Sequence, residues 1–312
     1  MILQTPIEIR KLPLLSIKSK ILLLGSCFAD EMVARMQARG LQVSSNPFGT
    51  LYNPMSIAAC INRLIAGKPF STVDLIYHDG LWHSMLHHGV FSYPTTEETL
   101  AAINAAYQQG CRALAEADVV IITFGSAWVY EQNGQVVANC HKLPATTFRK
   151  RKVAVEEIVE TWSPLLKEGV LRDKTVLFTV SPIRHKADGL HENQLSKATL
   201  LLAVEALGRP YFPAYEIMMD ELRDYRFYDT DMCHPTEQAV DYIWERLEES
   251  YFSKEDREEL QRILAARKAL NHKPLHPATA DYKSFRAKAE EQWKVLASKY
   301  PWLGATYPGD GK

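Results

Sequence analysis

The sequence lacks any long hydrophobic run and has almost no net charge, and both absences narrow the class of protein. Its 312 residues carry 36 Lys and Arg against 37 Asp and Glu, a formal net charge of -1. A nearly neutral chain creates no long-range field that attracts a polyanion, so nucleic acid is not expected as a main partner. Because no stretch of about 18 apolar residues occurs, neither a membrane span nor a membrane partner is expected.

Cysteine is also scarce, and its pattern bears on the cellular compartment. The five cysteines are odd in number and widely spaced, which fits reduced thiols better than a disulfide framework. Charged side chains from Glu8 to Lys20 interrupt the apolar stretches near the start of the chain, so no secretory signal peptide is predicted there. Together these features predict a cytoplasmic protein.

What the sequence does contain is an alternation of short apolar runs with amphipathic stretches. Hydrophobic residues make up 46% of the chain, enough for one large domain. Alternating strands and helices predict an α/β fold, a three-layer arrangement of a mainly parallel sheet with helices on both faces. Predicted strands lie at residues 20–24, 118–124 and 175–180. Predicted helices alternate with them at residues 28–39, 97–116 and 192–207.

Two hairpins and a helical segment complete the predicted organisation. The dipeptides Asp79-Gly80 and Asn133-Gly134 are typical of tight hairpin turns. A further short strand is predicted at residues 227–228. From residue 235 the pattern is almost entirely helical, so we predict a main domain at residues 1–252 and a helical C-terminal extension at residues 253–312. The amphipathic helices of the extension suit oligomer formation.

Histidines on the first predicted hairpin have no evident partner. Two-residue alternation places His83 and His87 on the same face of the strand. No acidic residue accompanies them, and we therefore expect a solvated strand face.

The first candidate site lies where the first predicted strand ends, in the string Gly25-Ser26-Cys27-Phe28-Ala29. A serine between a buried strand and a helix is held at the sheet edge, where the helix N-terminus offers free N–H groups to a developing oxyanion. This placement predicts Ser26 as a nucleophile. The alternative is that Ser26 only caps the helix, a role that serine often takes.

The second candidate site is the string Asp231-Met232-Cys233-His234-Pro235. An aspartate three residues before a histidine on a turn can accept a hydrogen bond from one imidazole nitrogen, which leaves the other to take the proton of a nucleophile. The spacing predicts His234 as general base and Asp231 as the residue that orients it. The alternative is a surface Asp–His pair at the start of a helix.

Together, the two motifs resemble the arrangement of the SGNH (GDSL-type) hydrolases, in which a serine follows the first sheet strand and a D-x-x-H-P motif lies near the end of the α/β region. The chain resembles the GSCFA-domain family more closely, over about residues 20–250. This resemblance implies an SGNH-like domain and a serine-hydrolase mechanism. It rests on the GSCFA string and on NPFG at 46–49, GSAWVY at 125–130, NCHK at 139–142 and the segment 181–198.

The resemblance also implies an oxyanion hole. SGNH hydrolases build it from the backbone N–H of the nucleophile, a glycine N–H and an asparagine side chain. Ser26 matches the first group, and Gly49 is the candidate for the second. The usual asparagine is absent, because Gly125 is followed by Ser126, and Asn139 is the candidate substitute. Losing one donor without replacement would cost about 3 kcal/mol of transition-state stabilisation.

Basic and histidine side chains cluster in two loops near the predicted site. The loop after residue 180 follows a predicted strand, at the end of the sheet where ligands collect. These side chains suit a substrate carboxylate or phosphate, and the alternative is a solvated basic loop. His185 is also a rival base, although the orienting Asp231 favours His234. The candidate substrate-binding residues are His141, Arg184 and His185, with Lys142, Lys186 and His191 beside them.

Three cysteines adjoin these candidate residues, at positions 27, 140 and 233. Cys27 is a rival nucleophile, because a helix N-terminus can activate a thiol. Zinc binding by Cys27, Cys140, Cys233 and a histidine is a weaker alternative, since no C-x-x-C pair is present. We expect these cysteines to be small buried side chains behind the floor of the site, and we predict no metal and no cofactor.

These observations predict a serine esterase that acts through an acyl-enzyme on Ser26. Family analogy and the polar loops favour a small-molecule or glycan ester as substrate, with a small acyl group such as acetyl. Two alternatives stay open. One is an acyltransferase that uses the same site, and the other is a non-catalytic ligand-binding module that has lost turnover.

Overall fold

The computed structural model of the chain describes residues 5–306. Residues 1–4 of the predicted main domain and residues 307–312 of the predicted C-terminal extension lie outside this range. The strands are β1 (Lys20–Gly25), β2 (Gln42–Ser45), β3 (Ile76–His78), β4 (Leu81–His83), β5 (Val119–Phe124), β6 (Trp128–Gln132), β7 (Gln135–Val137), β8 (Arg149–Lys152), β9 (Thr175–Val180) and β10 (Tyr211–Phe212). The helices are α1 (Cys27–Ala38), α2 (Pro54–Ala66), α3 (Thr96–Glu116), α4 (Val155–Lys167), α5 (Leu190–Leu207), α6 (Ala214–Glu216), α7 (Glu237–Tyr251), α8 (Lys254–Asn271) and α9 (Ala280–Lys299).

The main sheet is parallel and has five strands in the order β10-β9-β5-β1-β2. The three predicted strands are its central members β9, β5 and β1, whose continuous apolar runs are typical of strands that are covered on both faces. All carboxyl ends of the strands meet at one edge of the sheet. The predicted α/β fold with a mainly parallel sheet is confirmed.

Alternate side chains of the strands point into two separate hydrophobic cores. Ile21 and Leu23 of β1 face the core that contains α1 and α7. Leu22 and Leu24 face the core that contains α2, α3, α4 and α5. Burial of both strand faces is the main stabilising contribution, at about 25 cal/mol for each Å² of apolar surface removed from water. The predicted helices on both faces are therefore present.

A second, antiparallel sheet has the order β7-β6-β8 and stands beside the carboxyl edge of the main sheet. Its first turn, Asn133-Gly134, has φ angles of 51° and 78°, as a tight hairpin turn requires. Strand β8 was not predicted, because its sequence RKRK has no apolar alternation. It is held by polar groups instead, with Arg151 ion-paired to Glu131 of β6 and to Glu157.

The prediction of a strand at residues 227–228 is wrong. The chain forms a 3-10 turn over Tyr225–Phe227, and Tyr228 makes only a single bridge to Pro235. The aromatic sequence resembles a strand, but Asp224 accepts a hydrogen bond from the N–H of Arg226 and begins a turn.

The C-terminal helices α8 and α9 pack against the main domain, at the far end of α1. Ile263 of α8 and Leu303 lie against Gly40, which follows α1. The indole N–H of Trp302 donates to the carbonyl of Gly40 at 2.9 Å. Since Cys27 begins α1, these helices support the end of α1 that is opposite to the candidate site. Among the described residues, no helix has the length and apolar character needed to cross a membrane.

The prediction of a solvated histidine face is wrong. His87 is 0% exposed and stacks on Phe48, with ring centroids 4.3 Å apart, while His83 is 6% exposed. Burial lowers the pKa of His87 to about 3. Phe48 of the NPFG loop and Phe70 pack on His87, and the His141 ring lies beside His83. Strand alternation cannot reveal such covers because it reports only which residues share a face.

Replacing His87 with phenylalanine should make the fold less sensitive to acid. In the unfolded chain the imidazole gains a proton below its ordinary pKa of 6.5, whereas in the folded chain it stays neutral down to about pH 3. The stabilisation of the folded state by the neutral His87 is therefore fully present above pH 6.5. Between pH 7 and pH 5, about 2 kcal/mol of the free energy of unfolding is lost. Urea denaturation at pH 7 and pH 5 measures the decrease in the free energy of unfolding between the two pH values. This decrease should be about 2 kcal/mol smaller in His87→Phe than in the wild type.

The matched control is His191→Phe, because His191 is exposed in the folded chain. It should keep the pH dependence of the wild type. An unchanged loss in His87→Phe would contradict the assignment of a buried neutral imidazole.

Candidate functional site

The turn after β1 is set by a close approach of two strands. Gly25 has a φ of +139°, and a Cβ atom there would lie 2.1 Å from the carbonyl oxygen of Thr123 in β5. Only glycine fits this position without displacing backbone. Its N–H donates to Oδ1 of Asn46 at 2.8 Å, which fixes the start of the NPFG loop beside the turn.

Ser26 is the N-cap residue of α1, and its side chain points into the protein. It is 1% exposed, and its Oγ forms no hydrogen bond with any residue that the structure describes. Its backbone N–H donates to the carbonyl of Thr123 at 3.3 Å. Neither its hydroxyl nor its N–H therefore faces the cleft, and its predicted role as nucleophile stays a prediction.

The neighbouring Cys27 is the residue that meets the predicted base. Its Sγ lies 3.7 Å from Nε2 of His234, within hydrogen-bond range for sulfur. Burial raises the pKa of the Cys27 thiol, while the backbone N–H groups of Cys27 and Phe28 at the start of α1 oppose that rise. The thiol thus has both a base and the positive end of a helix beside it.

The predicted pair of Asp231 and His234 is formed. Nδ1 of His234 lies 2.6 Å from Oδ2 of Asp231. The other carboxylate oxygen accepts the backbone N–H groups of Cys233 at 2.8 Å and of His234 at 3.0 Å. These hydrogen bonds, that of the His234 side chain first, hold the pKa of the Asp231 carboxyl well below its ordinary value. An ionised Asp231 keeps the proton on Nδ1 and leaves Nε2 free to accept one from Cys27.

The Asp–His loop is fixed to the loop that follows β9. The backbone N–H of Arg184 donates to the carbonyl of Cys233 at 3.1 Å. The Lys186 ammonium donates to the carbonyl of Asp231. Residues separated by about fifty positions in the sequence thereby form one wall of the site.

Cys27, Asp231 and His234 open into a cleft of about 760 Å³. Trp128 and Tyr130 of β6 form its aromatic side, and no residue of α8 or α9 is among its lining residues. A cleft of this volume is large enough for a small-molecule ligand.

The three candidate oxyanion donors are placed differently from each other. The N–H of Ser26 is already bonded, and that of Gly49 donates to the carbonyl of Asn46 at 2.7 Å within the NPFG turn. Asn139 lines the cleft, and its Oδ1 accepts the N–H of His141 at 2.9 Å. Within residues 5–306, its Nδ2 is left without a hydrogen bond. Asn139 is therefore the one of the three with a free donor.

Thr50, which follows the candidate glycine, is a lining residue that no sequence motif indicated. It lines the cleft, and its backbone N–H has no acceptor in the described part of the chain. The side chain donates to Oδ2 of Asp30 at 3.2 Å, which holds this part of the loop against α1.

Two of the three candidate substrate-binding residues line the cleft, and the third does not. Arg184 and His185 line the cleft. The Arg184 guanidinium lies 4.9 Å from the ring centroid of Tyr228, and no carboxylate of the described chain pairs with it. His141 is buried instead, with Nε2 2.8 Å from the carbonyl of Ser84 and its ring beside that of His83. The structure thus places His141 beneath the hairpin and away from the cleft.

His185, the rival base, is held differently from His234. Burial, and then the charge of Lys197, lower the pKa of His185 to about 4. Its Nε2 is buried without a partner among the described residues. It lies in the wall of the cleft but lacks both a carboxylate to orient it and a contact with a nucleophile.

The five cysteines are all free. Cys27, Cys140 and Cys233 are half-buried and line the cleft, so the expectation that they pack behind its floor is wrong. In the range that the structure covers, no three His, Cys, Asp or Glu side chains are grouped closely enough to hold a metal ion.

With this geometry established, the sequence can be compared with known families. Residues 20–247 match the GSCFA family, which is well over half of the chain. The chain belongs to the GSCFA family. Residues 263–305 match the C-terminal domain of GSCFA domain proteins, a range that holds the second half of α8 and all of α9. No curated protein sequence matches the chain. The GSCFA string itself is the turn that places Ser26 inward and Cys27 outward.

Sequence reasoning also missed Lys197, although a signal was present. This GSCFA chain buries Lys197 on α5, between the ends of two strands. A lysine at the spacing of the buried apolar residues Leu200, Ala203 and Val204 is unusual on an inward helix face, and that pattern would have identified it.

An alanine at position 25 should disrupt the turn that carries the site. The added Cβ would meet the carbonyl of Thr123 in a backbone conformation that L-residues rarely adopt, so we expect Gly25→Ala to lower the free energy of unfolding by at least about 3 kcal/mol. Chemical denaturation measures this loss.

The matched control is Gly134→Ala, which also has a positive φ but has no atom within 4 Å of the added Cβ. It should cost only about 1 kcal/mol, the price of the backbone conformation alone. Equal losses in the two variants would argue against the steric account of Gly25.

Proposed function

We propose that this chain is an ester hydrolase that acts through an acyl-enzyme, with Cys27 as nucleophile, His234 as base and Asp231 as its orienting carboxylate. The observation that carries the proposal is the continuous contact from Asp231 through His234 to Cys27, at 2.6 Å and 3.7 Å. A nucleophile, a base and a third group that orients the base are the elements of covalent acyl transfer.

The reaction would follow two steps. His234 accepts the proton of the Cys27 thiol as the sulfur attacks the ester carbonyl, and returns that proton to the leaving alcohol when the C–O bond breaks. His234 then removes a proton from water, which attacks the thioester and releases the carboxylic acid and the free thiol. Asp231 stabilises the imidazolium that exists between the proton transfers.

Donors for the oxyanion are available among the groups that line the cleft. The N-terminus of α1 presents the backbone N–H of Cys27, and the free N–H of Thr50 and Nδ2 of Asn139 lie on the lining loops. Backbone and amide donors in a site with limited water provide much of the stabilisation in acyl transfer. Asn139 would thus replace the asparagine that the SGNH pattern has elsewhere.

The lining of the cleft favours an ester of a small polar molecule that carries an acidic group. Arg184 supplies a cation without a carboxylate partner in the described chain, which suits a substrate carboxylate or phosphate. Trp128 and Tyr130 also line the cleft and supply aromatic surface, a type of surface on which sugar rings stack. An acetylated sugar derivative is one substrate of this class.

The resemblance to SGNH hydrolases supports the same chemistry but names Ser26 as the nucleophile. The buried Oγ of Ser26 forms no hydrogen bond with His234, whereas Sγ of Cys27 lies within hydrogen-bond range of its Nε2. We therefore favour Cys27, and the two residues can be separated by single substitutions.

Turnover of p-nitrophenyl acetate should depend on Cys27 and His234. Because both take part in every covalent step, Cys27→Ala and His234→Ala should each lower kcat/KM at least ~1,000-fold, towards the uncatalysed rate. Ser26→Ala should stay within about tenfold of the wild type, since only packing changes. Release of p-nitrophenol, followed by absorbance, measures all three.

Cys233→Ala is the matched control, since Cys233 also lines the cleft and adjoins His234. It should keep the wild-type rate, which separates catalysis from general thiol reactivity. Loss of turnover in Ser26→Ala with retention in Cys27→Ala would establish the serine mechanism instead. A wild type that neither turns over nor forms an adduct with the ester would favour a binding module.

A further inference from the structure

A second cavity lies beside the cleft and shares a residue with it. Its volume is about 490 Å³, and Arg184 lies in the walls of both cavities. Cys27, Asp231 and His234 are not among its lining residues. A volume of this size fits a small ligand or part of one, and the proposed acyl transfer assigns no role to it.

Three tyrosine rings line this second cavity, those of Tyr215, Tyr225 and Tyr228. Tyr228 is 8% exposed, whereas Tyr225 is 70% exposed, and their ring centroids lie 6.3 Å apart at an interplanar angle of 48°. An exposed aromatic ring next to a buried one offers apolar surface that a planar ligand group would remove from water. The tyrosine wall therefore favours an aromatic group.

Arg184 supplies this cavity with a positive charge that has no carboxylate partner. Its half-buried guanidinium lies 4.9 Å from the ring centroid of Tyr228, and no carboxylate of the described chain pairs with it. The other charged lining residues each have an opposite charge within 4.0 Å, namely Asp220, Arg223 and Asp224. A partly desolvated guanidinium without a carboxylate favours a phosphate or a carboxylate on the ligand.

Gln194 adds a hydrogen-bond donor to the same cavity. Its Oε1 accepts the hydroxyl of Tyr215 at 2.7 Å. Its Nε2 donates to no residue that the structure describes, so it is available to a ligand. Aromatic surface combined with a few convergent polar groups is typical of small-molecule sites.

The backbone on one side of the cavity forms a π-helix over Ile217–Glu221. The N–H of Leu222 donates to the carbonyl of Ile217 at 2.9 Å, a bond that spans five residues instead of four. Met219 and Asp220 of this turn line the cavity. Because π-helical turns are rare and occur frequently at functional sites, the local backbone also indicates a ligand.

The tyrosine wall is joined to the Asp–His loop by backbone hydrogen bonds. The N–H of Asp229 donates to the carbonyl of His234 at 2.8 Å, and the N–H of Thr236 donates to that of Phe227 at 2.9 Å. Tyr228 lies between these two bonded positions. A ligand group that packs on Tyr228 is therefore held at a fixed place relative to His234.

We propose that the second cavity binds a planar aromatic group that carries a phosphate or a carboxylate, with the ring at Tyr225 and the anion at Arg184. Because Arg184 lines both cavities, the same molecule reaches the cleft with its ester group. The inference deepens the proposed function and rests on it, since it names the substrate class. The substrates are esters whose alcohol part carries an aromatic ring and an acidic group.

The test is the affinity of the wild type for phenylphosphonate, measured by isothermal titration calorimetry. This probe has the ring and the anion but no ester, and methylphosphonate is its counterpart without the ring. Phenylphosphonate should bind at least about fivefold more tightly, because only this probe contacts the tyrosine wall. Benzoate and acetate form the corresponding carboxylate pair. Equal affinities within both pairs would overturn the proposal.

Two variants locate the probe in the second cavity. Tyr225→Ala, at a largely exposed position that contributes little to the core, should abolish the preference for the aromatic probe. Arg184→Met should weaken phenylphosphonate binding at least about tenfold, because the charge-assisted hydrogen bonds are lost.

Two matched controls change one tyrosine and one arginine outside the proposed contacts. Tyr130 lines the cleft but not the second cavity, and Arg223 lines the second cavity but is paired with Asp220. Tyr130→Ala and Arg223→Met should each keep the wild-type affinity within about twofold. A loss in Tyr130→Ala with full affinity in Tyr225→Ala would place the ring in the cleft and overturn the proposal.

None of these measurements uses ester turnover, so the two proposals fail in different ways. A wild type that binds phenylphosphonate as expected but hydrolyses no ester would contradict the proposed function alone. Ester turnover without any preference for the aromatic probes would contradict this inference alone.

Discussion

The contact between Gly25 and the carbonyl of Thr123 is the constraint on which the site depends. Strands β1 and β5 are paired up to this point, so the chain can leave β1 only through a backbone conformation that glycine tolerates. This turn gives the two following side chains opposite directions. Ser26 enters the protein and Cys27 begins α1 at the cleft.

The remaining parts of the site reach this turn from distant segments of the sequence. The parallel sheet gathers the ends of β1, β2, β5 and β9 at one edge, where the loop after β2 carries the NPFG segment and the loop after β9 carries Arg184 and His185. The Asp231 carboxylate organises its own loop by accepting two backbone N–H groups as well as the imidazole. The geometry of His234 is therefore fixed before any substrate binds, which is the preorganisation that catalysis needs.

Much of the fold could be predicted from the sequence, because strands covered on both faces have continuous apolar runs and helices between them have amphipathic spacing. The Asp231–His234 pair was equally accessible, since both residues belong to one short turn. The direction of Ser26 and Cys27 was not, because it depends on a backbone angle set by a neighbouring strand. The burial of His83 and His87 was missed for a similar reason, because segments distant in sequence pack against them, Phe48 on His87 and His141 beside His83.

The central claim is that the acyl group is carried by Cys27. The most direct measurement is to quench the protein with acid during turnover of p-nitrophenyl acetate and to map the acetyl group by peptide mass spectrometry. If Cys27 is the nucleophile, the acetyl group forms a thioester on Cys27 that neutral hydroxylamine removes. An acetyl group on Ser26 that withstands this treatment, or turnover without any adduct on Cys27, would contradict it.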